Sequence, residues 1–257
     1  MKIFKQKQIG TTILIALSLI TIVSLFFLDP IVQDEHYHAF SDTRNLLSIP
    51  NFWNVISNGL FIVVGMWGLV YRKLNKKTEM SYTLLFFGII TVGIGSGYYH
   101  FFPSTTSLVW DRLPMTIVFM TLFSIIIREY ISDRLGRFLL LPLVTMGLFS
   151  IGYWVFNESH DLRVYGVVQF YPMLAIPVIL IFFKSKYQDH LVYWILLGCY
   201  VTAKLFEHYD TEIHQLVGFI SGHSLKHIMA SVGLYILVRS YKKRSPTSKQ
   251  KLDIVLE

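Results

Sequence analysis

A single cysteine, Cys199, occurs in the 257 residues of this chain. It lies inside an apolar run, so no intramolecular disulfide can form and no thiolate-based zinc site can be built. Cysteine usage therefore says nothing of the redox compartment. Charge is also scarce: Asp, Glu, Lys and Arg make up 15% of the sequence, against about a quarter in an ordinary soluble domain. Strand-like alternation with a period of two is missing, which argues against a membrane β-barrel. No internal repeat and no linker divides the chain. What is abundant is apolar surface: 53% of residues are hydrophobic, with 20 Phe, 15 Tyr and 5 Trp, and the mean hydropathy is +0.51. This excludes both a soluble globular enzyme and a disordered chain. About 20 apolar residues cross a bilayer, so the length holds seven or eight spans and little else. The predicted fold class is all-α: a polytopic transmembrane helical bundle of seven core helices plus one N-terminal transmembrane anchor. A net charge of +7 would suggest nucleic acid in a soluble protein. In a membrane protein the position of the positives matters more than their sum, and no nucleic-acid partner is expected.

Residues Ile9 to Leu28 form an uncharged run preceded by Lys2, Lys5 and Lys7. The run is longer than a signal-peptide core, and no small-x-small cleavage site precedes Asp29-Pro30, so it reads as an uncleaved anchor. Seven further apolar stretches follow at roughly 54–71, 82–101, 113–127, 138–156, 164–183, 191–206 and 215–238. The expected organisation is an anchor over residues 1–30, an outer loop over 31–50, a seven-helix domain over 51–240 and a basic tail over 241–257. With the N-terminus in the cytoplasm, the inner segments 1–8, 72–80, 128–137, 184–190 and 239–257 carry 18 of the 23 Lys and Arg. The other five are Arg44, Arg112, Arg163, Lys204 and Lys226, the last two within predicted helices. That is a strong positive-inside bias. It predicts eight spans with both ends cytoplasmic, the tail brushing anionic lipid.

Ionisable side chains inside a bilayer are costly and mark functional candidates. Of the nine histidines, His36, His38, His160, His190, His208 and His214 fall in or beside connections, where a solvated imidazole needs no explanation. His100, His223 and His227 do not. His223 and His227 are four apart, so on a helix both project from one face and can reach one cation. Packed separately is the commoner fate of such a pair in a soluble helix; burial in a membrane helix reverses that. His100 ends the third span, Ser96 lies one turn before it, and Asp111 begins the fourth span. All map to the outer half of the membrane. Three neutral imidazoles with an open fourth position are a known catalytic zinc arrangement; a nearby carboxylate (Asp111) can accept a proton, and a hydroxyl (Ser96) can donate to an oxyanion. The plainer readings stay open. Ser96 in Gly93-Ile-Gly95-Ser96-Gly97 also fits close helix packing, Asp111 also fits a helix cap or an Arg112 pair, Asn54, Ser57 and Asn58 fit interhelical hydrogen bonding, and Lys204, Glu207 and Asp210 fit a charge cluster at a helix end.

Four segments, Phe52-Trp-Asn-Val-Ile-Ser-Asn58, Gly95-Ser-Gly-Tyr-Tyr-His100, Asp111-Arg-Leu-Pro-Met115 and His223-Ser-Leu-Lys-His227, resemble the alkaline ceramidases. More widely they are similar to the CREST superfamily, which includes the adiponectin/progestin receptors. The resemblance spans about Asn51 to Val238. It implies a seven-helix intramembrane amidase with Zn2+ held by His100, His223 and His227, Asp111 as proton acceptor and Ser96 steadying the water or oxyanion. It implies cleavage of ceramide, or another N-acyl membrane lipid, to a sphingoid base and a fatty acid. Eukaryotic members carry a calcium site whose Glu precedes the Phe-x-Asn motif; Asn51 stands there in this chain, and Asp34, Glu35 and Asp42 lie in a different setting. Calcium is therefore not expected, and the chain looks more like prokaryotic relatives, which implies a bacterial inner membrane. A receptor of the same superfamily would keep the histidines without needing Asp111 and Ser96, whereas a transporter would spread its polar residues across the membrane.

Overall fold

The apolar runs fold as helices: α1 (Lys2–Phe27), α2 (Phe52–Ser57), α3 (Gly59–Val70), α4 (Glu79–Phe101), α5 (Thr105–Tyr130), α6 (Asp133–Phe156), α7 (Arg163–Phe182), α8 (Leu191–His208), α9 (Asp210–Val217) and α10 (Gly222–Lys243), with a 3-10 turn at Glu35–His38. The structure, a computed structural model, describes residues 2–70 and 79–243. Most of the 72–80 connection and of the 241–257 tail, on which part of the charge asymmetry rests, lies outside the described residues. Among the described residues the only β feature is an isolated bridge between Leu46 and Ile49, so the fold is an all-α polytopic bundle.

Six helical segments are long and apolar enough to cross a membrane among the described residues: Phe4–Phe27, Phe52–Val70, Met80–Phe101, Thr105–Tyr130, Asp133–Phe156 and Arg163–Phe182. At the places expected for the seventh and eighth spans stand α8 and α10, diluted in apolar character by Lys204 and Glu207 and by His223, Lys226 and His227. Three boundaries differ from expectation. The second span is broken at Asn58, whose N–H turns back to Val55 and Ile56 carbonyls. The fourth span begins at Thr105, so Asp111 lies well inside α5 rather than at its start. The last helix begins at Gly222; residues 210–217 form α9, which is closed by Gly218 in the left-handed conformation at φ 80° with its N–H on the His214 carbonyl. Only a residue without a Cβ takes that turn at no cost.

The helices sort into two compact units. One holds residues up to Val32 and Phe119–His190, thus α1, the C-terminal half of α5, α6 and α7. Ser132 caps α6 by accepting from Leu135 N–H at 3.3 Å, the standard solution for unpaired amides of a first turn. Ser18 on α1 bonds the Tyr171 hydroxyl on α7 at 2.7 Å. The α6–α7 connection grips the end of α1. Asp161 accepts from Ile31 N–H at 3.2 Å and from Arg163 Nε at 2.8 Å. Arg163 in turn donates to the Leu25 carbonyl at 2.9 Å and to that of Leu28. A cation on terminal carbonyls is favourable both as a hydrogen-bond donor and against the helix dipole.

The other unit spans Gln33–Val118 and Leu191–Lys242, and so contains α2 to α4, the first half of α5 and α8 to α10. At one end of it Trp67 stacks on Tyr235 with ring centroids 5.1 Å apart, and Tyr193 and Tyr241 share a hydroxyl hydrogen bond of 3.0 Å. Tyr193 and Tyr241 are buried, and their polar tips satisfy each other, as buried phenols require. Every candidate site residue lies in this unit.

Candidate metal centre

His100 comes from the last turn of α4, and His223 and His227 come from the first two turns of α10. All three are buried, at 1%, 6% and 4% exposure. One ring nitrogen from each lies within 4.8 Å of the others. His100 Nε2 and His223 Nε2 are 3.3 Å apart. That separation is close to the edge of a tetrahedron with Zn–N bonds of about 2.0–2.1 Å. The donor set suits the ion as well: three imidazoles, no thiolate, and among the described residues no carboxylate inside the group. His100 Nδ1, the ring nitrogen turned away from the His223 contact, is buried with no hydrogen-bond partner.

The ring positions follow from their helix ends. Ser221 accepts from Ser224 N–H at 3.3 Å, and Asp210 Oδ1 accepts from His223 N–H at 2.6 Å, so the first turn of α10 is capped by a hydroxyl and a carboxylate. Gly222 permits this approach, since a Cβ there would overlap the Phe206 carbonyl and stand 2.9 Å from Asp210 Cα. The other carboxylate oxygen of Asp210 accepts from Ser41 N–H at 3.0 Å. That bond holds the neighbouring Phe40 against the centre, its ring 4.7 Å from His100 and 4.9 Å from His223 between centroids. Asn51, in the left-handed region at φ 48°, donates from Nδ2 to the His100 carbonyl at 2.8 Å. Asp210 therefore does not belong to the charge cluster expected of it. Glu207 pairs instead with Lys204 at 2.5 Å and Lys226 at 2.7 Å.

Ser96 is buried one turn before His100, and its hydroxyl hydrogen-bonds the partly buried Asp111 carboxylate. The two are brought together because α4 and α5 touch at Gly95, where a Cβ would collide with the Trp110 carbonyl. Pro114 has no N–H, so the carbonyl four residues earlier, Trp110, lacks its ladder partner. The close-packing reading thus holds for the glycine, and the serine beside it faces the acid. Asp111 is no helix cap, being a turn and more inside α5. In the 33–51 segment above the centre, His38 bonds Tyr99 Oη at 2.9 Å and Thr105 Oγ1 at 3.0 Å. Burial lowers the His38 pKa, with Arg112 adding to this and Glu35 opposing it. Buried Asp42 would be raised by desolvation, but its bonds to the Arg44 guanidinium and amide hold it below the ordinary carboxylate value.

A family model described as Ceramidase matches residues 44–251. The chain belongs to the ceramidase family. The match takes in the whole histidine centre, Ser96, Asp111 and the Asn51–Asn58 segment, and leaves α1 outside it. No curated protein matches the chain. Family membership makes this multi-pass membrane protein a lipid-amide hydrolase by class, with a buried histidine triad able to hold a metal ion. Reasoning from sequence alone missed two contributors, Phe40, which had no pattern to betray it, and Asp210, whose partners are backbone amides; Ser57, read as an interhelical hydrogen-bonding residue, is one, and its partner is His227 Nδ1 at 2.8 Å.

Proposed function

We propose that this ceramidase-family protein is a zinc-dependent intramembrane hydrolase that cleaves the amide of ceramide, or of a closely related N-acyl lipid, to a long-chain amine and a fatty acid. The observation that carries this reading is the convergence, in one compact unit, of three buried imidazole nitrogens within 4.8 Å with the Ser96–Asp111 hydrogen bond. His100, His223 and His227 would hold the ion, which supplies a Lewis acid for the amide carbonyl and acidifies a water. Asp111 takes the proton of the attacking water and returns it to the departing amine as the C–N bond breaks. The single Ser96 proton is engaged with the Asp111 carboxylate at rest and orients it. Once Asp111 is protonated it can donate to Ser96 Oγ, which frees the serine proton for the developing oxyanion. Phe40 excludes water from the histidine faces. The charge distribution supports α8 and α10 completing eight spans, with both termini cytoplasmic and the centre in the outer half of the bilayer, where a two-chain lipid reaches it without leaving its leaflet; the resemblance to prokaryotic relatives supports a bacterial inner membrane.

The decisive experiment is metal analysis of detergent-purified protein, after zinc loading and desalting, beside hydrolysis of ceramides and other N-acyl lipids. About one zinc per chain in wild type, none in His223→Ala/His227→Ala, and amine release that tracks the metal would support the reading. Folded wild-type protein that retains no zinc would end it.

A further inference from the structure

We propose that Ser57, together with the main-chain carbonyl of Asn54, is the positioning element that locks His227 in the tautomer carrying its proton on Nδ1, leaving the Nε2 lone pair for the centre. This rests on the reading of His227 as a metal ligand and goes beyond it. α2 is only six residues long and breaks at Asn58, whose N–H bonds the Val55 carbonyl at 3.2 Å. The Asn54 carbonyl, which an unbroken helix would use for the Asn58 N–H, is thereby released to side-chain donors. Asn58 Nδ2 donates to it at 2.7 Å and Ser57 Oγ at 3.2 Å. With its one proton on Asn54, Ser57 Oγ offers a lone pair to His227 Nδ1, 2.8 Å away; the Asn58 amide nitrogen stands farther from that ring atom, at 3.3 Å, and makes its short bond to the Asn54 carbonyl instead. A neutral imidazole nitrogen whose nearest partner offers a lone pair carries the ring proton, and the other ring nitrogen is then bare. Ser57 and His227 are buried, so no water competes. The segment is itself fastened to α10, since Asn54 Oδ1 accepts from Ser224 Oγ at 2.7 Å. The helix break, the serine and the metal-facing histidine thus form one unit, and groups in this position on ligating histidines typically alter metal affinity 10–100-fold.

The test uses full-length protein labelled with 15N-histidine in detergent, stripped of metal by chelator, with His227→Gln identifying the His227 signals. Long-range proton–nitrogen correlation spectra report which ring nitrogen carries the proton. Wild type and Ser57→Thr should show protonated Nδ1 at His227, while Ser57→Ala should shift it toward the other tautomer. Ser57→Cys, nearly the same size with a weak acceptor, gives the same direction should the alanine variant fail to fold. Chelator competition should show zinc held 10–100-fold more weakly by Ser57→Ala, with Ser57→Thr restoring it. An unchanged His227 tautomer in both Ser57→Ala and Ser57→Cys overturns the proposal, as does wild-type zinc affinity in both. A wild type that takes up no zinc, yet shows the expected tautomer shift on substitution, would remove the metal reading and leave the lock standing.

Discussion

The main-chain carbonyl of Trp110 lies directly against Gly95, with the carbonyl carbon 2.9 Å from where a Cβ would be. Because Ser96 follows the one residue and Asp111 the other, this contact sets the distance across which serine and acid bond. Gly95→Ala should force α4 and α5 apart. Overpacking of this kind costs about 1–3 kcal/mol, and hydrolysis should fall with it. Gly152→Ala, with nothing within 4 Å of the added carbon, should be neutral or gain about 0.5–1 kcal/mol from helix propensity. Thermal unfolding in detergent compares the two; equal midpoints would show that the contact tolerates a methyl group.

Replacing any one of His100, His223 and His227 by alanine should abolish both zinc retention and turnover, because three protein ligands leave none to spare. A single variant that keeps wild-type metal content and rate would remove that residue from the centre.

Asp111→Asn should hold zinc normally and lose about 10²–10⁴ in kcat, the range expected for a general base. Ser96→Ala should be milder at the chemical step, because the carboxylate remains and loses only its orienting bond. Steady-state rates with metal content measured on the same samples separate these effects from simple loss of the ion. Unchanged turnover in Asp111→Asn would take the acid out of the mechanism.

Stability should also depend on Asp42. Its carboxyl is held below its ordinary value by Arg44, so the folded form binds its proton less readily than the unfolded chain. The stabilisation is therefore complete above the ordinary value of about 3.9 and disappears as pH falls through the lower folded value. Unfolding midpoints of wild type should drop on acidification below about pH 4–5. Asp42→Asn should be less stable at neutral pH and show a shallower acid slope; an identical slope would mean that Asp42 contributes nothing.

What could be read in the sequence was whatever obeys a local spacing. His223 and His227 four apart, and Ser96 and His100 four apart, were legible because a helix has one period. Helix edges were harder. The Asp111-Arg112 charges and Pro114 looked like a boundary, yet Pro114 lies more than two turns inside α5, since a proline is tolerated within a membrane helix packed against its neighbours, as α5 packs on α4 at Gly95. The last span was drawn from 215 because α9 and α10 share apolar residues, and only Gly218 hinted at the break. Asp210 and Phe40 were illegible as site residues for another reason: their partners are distant in the chain, and both Asp210 bonds go to backbone amides, which leave no mark in a sequence.

The grip of Asp161 and Arg163 on the end of α1 bears on how the protein is made. A peptidase that cut between Leu28 and Ile31 would carry off the Leu25 and Leu28 carbonyls that Arg163 uses. A largely buried guanidinium and its buried carboxylate would then have only each other and the Ile31 amide, and uncompensated burial of charge is among the costliest defects a fold can carry. Exchanging the first helix for a foreign leader in an expression vector should thus lower the yield of folded protein, unless the replacement presents two free carbonyls at the same place.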